Sequence, residues 1–438
     1  MKIALIHSHL NDRGGSQRYV IEIANNLIEL GVMVDIYCYE YNKNSCYPEL
    51  TKNLNINKVY TREVVNNIGS FAKQKKLIKK TIKNVCNIKI LKKMINIFGV
   101  DYLYFIYSTK KNATKVSNLI LNGDNSYDLV FAHEEPLSVY AAINYKKIKA
   151  IPIYWFCYDT IEKWFLEWKD EHKRYFLRKF LLQNIYFKYD RYLINKFVDK
   201  SAVLDNNMLS RYKRLYNKVP LVRRGGVPVA SLQLDRKNII REKYNLSEET
   251  VIIFSLTRFI SYRRVHDILK MYEKLPIEVQ SNIFIYLNSP VTDQTYYDWC
   301  MNEHKKTLES ENIVVDIDYP SNDSEMYDMY LSSDIFIFPN ENQTWGHAPL
   351  EAMGCGVATI VSSGCGISEV LKTISPETVY DVGNTDVLSH KISEFVKSKS
   401  FKDIADDQKQ YVKDNLTWKK ICEIYLDDIS DLLGEKNV

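Results

Sequence analysis

The chain has 438 residues, 46% of them hydrophobic and 26% charged, which places it among globular proteins and suits two domains of roughly 200 residues better than one. Its eight cysteines are scattered with no CxxC pair, a pattern that argues against a disulfide framework or a zinc site. The net charge of +5 conceals a division: residues 1–230 hold 38 Lys and Arg against 20 Asp and Glu, whereas residues 231–438 hold 21 against 34.

Such asymmetry implies two domains with different surroundings, the first facing something anionic. No run approaches the roughly 18–20 apolar residues of a membrane-crossing helix, and the start, MKIALIHSH, reads as a buried strand rather than a leader. A cytoplasmic protein is expected, bound at most peripherally to the inner face of a membrane. Tyrosine is abundant, at 32. That is more than cores usually need, and aromatic surface for a glycan or a membrane interface is one outlet.

In chain order, KIALIH predicts a strand, NDRGGSQ a loop turning at Gly14 and Gly15, residues 17–30 a helix, and MVDIYCY a second strand. Further strands are expected in NKVY (57–60), DLVFAH (128–133), IPIYWF (151–156), KSAVLD (200–205) and PLVRR (220–224). Near-continuous apolar strands alternating with helices predict a parallel sheet covered on both faces. Residues 62–115 interrupt this rhythm with 13 Lys and Arg and only Glu63 and Asp101 as acids. Apolar residues there recur at helical spacing, with Lys75, Lys76, Lys79 and Lys80 on the other side, so a basic amphipathic helix is expected. It is either a solvated face over a packed stripe or a site for anionic headgroups. The segment GGVPVASLQLDRKN (225–238) reads as a linker. A second series follows, with strands in VIIFSLT (251–257), NIFIYLN (282–288), NIVVDID (312–318), DIFIFP (334–339), VATIVSS (357–363) and TVYDV (378–382), and a last helix near 416–433.

The stretch ENQTWGHAPLEAMGCG (341–356) carries the chemistry. It follows an apolar strand and runs into a helix. In an open parallel sheet, ligands bind at the carboxyl ends of strands, and helix N-termini suit phosphate oxygens. Gly346 removes a side chain where backbone must approach, and Glu351, one to two turns into the helix, is placed to accept bonds from paired hydroxyls. Gln343, before the turn, suits a second polyol. The whole suits a nucleoside diphosphate carrying a sugar. Two other motifs point elsewhere: DID (316–318) looks like a metal-binding DxD without its usual surroundings, and His7 with His9 forms an H-x-H, as in some metal hydrolases, without further ligands.

In the order of these pieces the chain resembles the GT-B-fold retaining glycosyltransferases of family 4, whose signature is E-x7-E. The matching pieces are Gly14-Gly15 after the first strand, His133 at the end of DLVFAH, Gly226 of the linker, TRFISYRR (257–264), the stretch from 332 to 371, and LTWKKICEIY (416–425). The resemblance implies an α/β fold of two Rossmann-like domains facing across a cleft: residues 1–228 with a helical insertion at about 62–122, the donor domain 229–415, and a terminal helix, 416–438, packing back on the first domain. It implies that Arg258 and Arg263 bind the diphosphate with the N–H groups of Trp345, Gly346 and His347. Ala348, Pro349 and Leu350 then open the helix, Glu351 binds the ribose, and Gly14, Gly15 and Glu369 lie near the donor.

It also implies that His133 positions the donor sugar, and that His133, Gln343 and Glu351 serve catalysis without a cofactor or metal. Partners would be a nucleotide-sugar donor, a glycan or lipid-linked glycan acceptor and an anionic membrane surface, with no nucleic acid. This sequence departs from the family with Gln343 in place of the first glutamate and Arg263 in place of a lysine. Gln343 leaves open a non-catalytic partner subunit, and the fold leaves open a nucleotide-sugar 2-epimerase.

Overall fold

The computed structural model describes residues 1–61, 100–123, 125–134, 136–160, 176–318 and 320–434. The lysine-rich stretch with Lys75, Lys76, Lys79 and Lys80 lies outside them. The chain divides into two compact units, residues 1–223 with 422–438, and residues 224–421.

The first unit is built on seven strands: β1 (Lys2–Leu10), β2 (Met33–Tyr41), β3 (Asn55–Thr61), β4 (Leu129–His133), β5 (Ile153–Cys157), β6 (Lys200–Val203) and β7 (Leu221–Val222). Their order across the sheet is β3-β2-β1-β4-β5-β6-β7, and all pairs are parallel. All five residues of β4 and of β5 are buried, as helices on both faces require. Helix α1 (Gly15–Glu29) covers one face with Tyr19, Val20, Ile23, Ala24 and Leu27 at helical spacing, and ends before Gly31, whose φ of 86° suits glycine. Helices α2 (Val100–Leu121), α3 (Leu137–Lys149), α4 (Phe187–Phe197) and α5 (Asn206–Tyr216) follow, with Tyr102, Val116, Ile120, Tyr140, Trp155 and Tyr212 in one core. Strand β7 is only two residues long, shorter than PLVRR suggests, because its Pro cannot donate to the ladder.

Many tyrosines go inward. Tyr19, Tyr145, Tyr154, Tyr212, Tyr216 and Tyr425 are almost wholly buried, and several hydroxyls bond each other or acids. Tyr19 and Tyr425 meet at 3.0 Å, Tyr154 donates to Asp428 at 2.9 Å, and Tyr140 and Tyr216 both donate to Asp190, at 2.5 and 3.0 Å. A buried phenol is tolerated because its hydroxyl finds a partner. Surface aromatics also occur: Tyr107, Tyr189 and Tyr192 are exposed, with Lys110 over the Tyr189 ring at 3.9 Å.

The second unit has six strands: β8 (Val251–Leu256), β9 (Ile283–Asn288), β10 (Ile313–Asp316), β11 (Ile335–Phe338), β12 (Ala358–Ser362) and β13 (Val379–Tyr380). Their order is β10-β9-β8-β11-β12-β13, again all parallel. Helices α6 (Val265–Lys274), α7 (His347–Gly354), α8 (Ser368–Ile374), α9 (Thr385–Ser398) and α10 (Phe401–Asn415) are among those that flank the sheet. Because β13 pairs with β12 only at its end, the middle of β12 needs another partner. Gln408 of α10 supplies it, accepting from Thr359 N at 2.8 Å and donating to Thr359 O at 3.1 Å.

The last helix, α11 (Trp418–Leu433), starts in the second unit and from Cys422 on belongs to the first. There Asp428 takes two bonds from Arg223, at 2.6 and 2.8 Å, beside the bond from Tyr154. No helix among the described residues is long and apolar enough to cross a membrane.

Candidate active site

Both sheets reverse their order of growth next to their first strand, between β1 and β4 and between β8 and β11. In open α/β sheets the crevice beyond the carboxyl ends at such a point is where ligands bind. The sequence-predicted residues divide between these two places.

In the second unit, three loops leave the carboxyl ends of β8, β11 and β12 and are tied together. Glu341 N donates to Tyr262 O at 2.9 Å, Gln343 N to Gly364 O at 3.0 Å, Gly366 N to Gln343 O at 2.9 Å, and Ile367 N to Trp345 O at 2.8 Å. Asn340 is fully buried at the centre; its amide nitrogen donates to Thr257 Oγ1 and the Arg263 carbonyl, and its oxygen accepts from Arg263 Nη1 at 2.5 Å. Arg258, Arg263, Gln343 and Trp345 are therefore held by one hydrogen-bonded frame.

The three arginines of this frame differ in what surrounds them. Arg264 is bidentate to Asp267, at 2.7 and 3.0 Å, and lies 3.4 Å from Glu341. Arg258 is exposed, and neither Arg258 nor Arg263 has a carboxylate partner among the described residues. Burial lowers the Arg263 pKa, and the Arg258 charge presses in the same direction. A cation that burial penalises and no acid relieves is a place for an anion to bind.

Beside it begins α7. Its entry is backbone-strained: Trp345 takes φ 40° although it is not glycine, and Gly346 takes φ 97°. A Cβ on Gly346 would also come within 3.0 Å of Pro349 Cγ. This kink aims the first turn of α7, His347, Ala348, Pro349 and Leu350, at the strand ends. The N–H groups of a first helical turn have no partner within the helix, and the helix dipole favours negative charge there. Pro349 fits because a first-turn residue needs no N–H. Glu351, one turn further, is 6% exposed and accepts from Tyr330 at 3.3 Å. Glu369 stands in the first turn of α8, 3.9 Å from Arg224. Sequence reading missed Arg224, whose guanidinium lies 5.5 Å from the Trp345 ring centre, and missed Asn340, which no motif marks.

A cavity of about 490 Å³ lies at the opposite end of the same sheet, lined by Arg236, Arg241, Asp334 and Lys399 among others. Most of its cations are met by its own acids: Arg236 meets Asp334 at 2.7 Å, and Lys399 meets Glu249 at 2.9 Å. Its lining holds four cations, Arg236, Arg241, Lys399 and Lys402, against four acids, Glu248, Glu249, Asp334 and Asp406.

In the first unit, the carboxyl ends of β1 and β4 bring together His7 and His133, both fully buried. Their Nδ1 atoms are 3.1 Å apart. His133 stacks on Phe156 at 5.2 Å and 8°, with Tyr19 at 5.3 Å and Tyr158 at 5.8 Å. Gly14 caps α1 in extended backbone, open to any residue, and its carbonyl accepts from Tyr47 at 3.3 Å. Gly15 opens α1. Sequence reading noted His7 only for its spacing from His9. The structure supplies the link through strand pairing: Ile6 sits beside Ala132, so the next residues, His7 and His133, are neighbours on one face. His9 lies apart, 3.9 Å from Glu40.

Residues 236–414 match the family described as glycosyl transferases group 1. The match falls within the second unit. Among curated proteins, the chain is 24% identical over 198 residues to N-acetyl-alpha-D-glucosaminyl L-malate synthase of Bacillus anthracis, covering 45% of this chain and 49% of that protein. It is 26% identical over 159 residues to the serotype-specific mannosyltransferase WbdA of Escherichia coli, covering 35% of this chain and 19% of that one. The chain thus matches about half or less of the length of these relatives.

Three solved structures share the fold over nearly the whole chain. HepE of Anabaena, in complex with UDP and glucose, is 12% identical with a TM-score of 0.66 over 98% of this chain and 100% of that one. Sucrose-phosphate synthase of Thermosynechococcus elongatus is 13% identical with a TM-score of 0.69 over 99% and 100%. WaaG, a glycosyltransferase involved in lipopolysaccharide biosynthesis, is 14% identical with a TM-score of 0.61 over 98% and 99%. The fold is GT-B, with both parallel sheets present.

Proposed function

We propose that the protein is a nucleotide-sugar-dependent glycosyltransferase that acts with retention on a glycan or lipid-linked glycan acceptor in cell-surface polysaccharide or glycolipid synthesis. The observation that carries this reading is the pair Arg258 and Arg263, without carboxylate partners among the described residues, beside the kinked start of α7 inside the stretch that matches the group 1 family. The relatives add support, since HepE holds UDP and glucose and WbdA is a mannosyltransferase.

In this reading the chain's main task is to neutralise a departing nucleoside diphosphate. Charge that develops on a leaving group is best stabilised by donors fixed in advance. Arg263 is fixed by Asn340, Arg258 reaches from the same loop, and Trp345, Gly346 and His347 present backbone N–H groups. Arg263 offers a planar fork in the place where the resembling family has lysine. Glu351 holds the ribose hydroxyls, Gln343 contacts the sugar as a neutral hydrogen-bonding group, and Glu369 stands by. This arrangement is proposed to work without a metal. From the first unit the proposal draws His133 and the turn at Gly14 and Gly15 as residues needed for turnover. The basic first half suits an anionic or diphospholipid-linked acceptor at the inner face of a membrane.

The test is a transfer assay with UDP-, GDP-, ADP- and dTDP-sugars and short lipid-linked acceptors, with and without EDTA, reading the anomeric configuration of the product by NMR. Transfer with retained configuration, unaffected by EDTA, is expected. Donor consumption without any acceptor would replace this reading with the 2-epimerase. An inverted product would remove retention.

A further inference from the structure

Glu134, directly after β4, has features that the function proposed above does not use. Its backbone takes φ 69°, a left-handed conformation that a glutamate rarely adopts and that tends to persist where the surroundings impose it. Its carboxylate Oε2 lies 3.5 Å from His7 Nε2, a ring nitrogen shut off from solvent and with no closer partner. The other nitrogen of His7, Nδ1, faces His133 Nδ1 at 3.1 Å. Carboxyl, imidazole and imidazole therefore stand in a row, and the Phe156, Tyr19 and Tyr158 rings hold the plane of the last.

We propose that Glu134 is a positioning residue that, acting through His7, sets which ring nitrogen of His133 carries the proton.

The logic is that of hydrogen-bond parity in a row of neutral rings. One proton lies between the two Nδ1 atoms, and either ring can own it. When Glu134 is protonated, it donates to His7 Nε2. His7 then carries its proton on Nδ1 and donates to His133, whose own proton must sit on Nε2. When Glu134 is ionised, it accepts from His7 Nε2–H. His7 Nδ1 is then an acceptor, His133 donates from Nδ1, and His133 Nε2 is left as an acceptor. Passing from the first arrangement to the second releases one proton overall. It is lost from His133 Nε2 while the negative charge appears on Glu134, at the other end of the row.

The surroundings keep the row neutral and place the switch in an accessible pH range. Burial holds the His7 pKa down to about 3, with the charge of nearby His9 adding to it and the His133 backbone opposing it, so His7 passes a proton on without storing one. Burial raises Glu134 to about 7, nearby Ser16 at the start of α1 opposes this, and Asp159, beyond β5, adds to the rise by repulsion. Among the described residues, His133 on β4, the phenols of Tyr19 and Tyr158 packed on it, and His9 and Glu40 at the ends of β1 and β2 are also nearby.

What this means for sugar transfer rests on the function proposed above; the state of the rings does not. The experiment is long-range proton–nitrogen NMR on the full chain labelled with 15N-histidine, with the His133 signals assigned by His133→Gln. Between pH 5.5 and 8.5, His133 should change from the Nε2–H to the Nδ1–H form with a midpoint near 7. In Glu134→Gln, whose amide N–H mimics the protonated acid, it should stay Nε2–H throughout. Glu134→Asn, which suits the left-handed backbone but is too short to reach His7, should also lose the transition and guards against misfolding of the first variant. His133 keeping one form across this range in the wild-type protein, or a transition that survives in both variants, would overturn the proposal. If the rings switch as described but no donor is ever turned over, the proposed function fails and the relay stands. If the enzyme is active and the rings do not switch, the reverse holds.

Discussion

The two sheets have the same strand order around their first strand and the same crevice beside it, but they fill it with opposite chemistry. In the second unit the crevice holds two arginines without acid partners among the described residues, one of them fixed by the buried Asn340 amide, and the start of a helix. In the first it holds two histidines and a carboxyl packed among aromatic rings. One place is built for permanent charge and the other for a mobile proton. A shared topology thus sets where a ligand is met, and the loops after the strands decide what is done to it.

This contrast can be broken from either side. The largest effect is expected at Arg263: Arg263→Ala should weaken nucleoside-diphosphate binding by about 2–4 kcal/mol, measured by isothermal titration calorimetry. Arg264→Ala, whose charge is already matched by Asp267 and Glu341, should cost the diphosphate far less. Equal losses would erase the distinction between the two arginines. Next, Glu351→Ala should cost about 1.5–3 kcal/mol in binding of the nucleoside diphosphate. It should cost little for inorganic pyrophosphate, which has no ribose, and a matching loss for both would remove Glu351 from the ribose.

A pH effect sharpens the other side. The Glu134 pKa is raised, so its protonated form is the one the folded state favours. Its contribution to stability is fully present below the ordinary carboxylate range and is lost as pH rises through about 7. Urea unfolding should therefore show wild type losing roughly 1–3 kcal/mol relative to Glu134→Gln between pH 5 and pH 8.5. A constant difference would mean that Glu134 is ionised throughout. The smallest effect belongs to the backbone: Gly346→Ala, at φ 97°, should lower stability by about 1 kcal/mol and weaken diphosphate binding with it.

The long apolar runs made the sheets legible. The fully buried strands β4, β5, β8 and β9 each follow from a continuous hydrophobic stretch, and the parallel order follows from alternation with helices. Strands β7 and β13, two residues each, are shorter than PLVRR and TVYDV suggest. Tyrosine was half-read: surface aromatics exist, but pairs such as Tyr19 with Tyr425 are more than 400 positions apart, and no local pattern announces a buried hydroxyl bond.

The same distance limits the site. The motif TRFISYRR offers three arginines, and which of them is spent on acids is settled by Asp267 and by Glu341, 77 positions after Arg264. Asn340, the hub of the frame, looks like an ordinary loop residue. His7 was legible as a histidine on a strand and illegible as the neighbour of His133, because that contact depends on register between strands 126 positions apart.

The central claim is that the second unit binds a nucleoside diphosphate through uncompensated arginines and a helix start. Thermal melting of the full chain with UDP, GDP, ADP, dTDP and CMP, with and without EDTA, tests it directly, because a ligand bound only to the folded state raises Tm by mass action. One diphosphate should raise Tm in the wild-type protein, regardless of EDTA, and fail to do so in the Arg258→Ala, Arg263→Ala double variant. An equal rise in the double variant, or no rise with any nucleotide, would contradict the account.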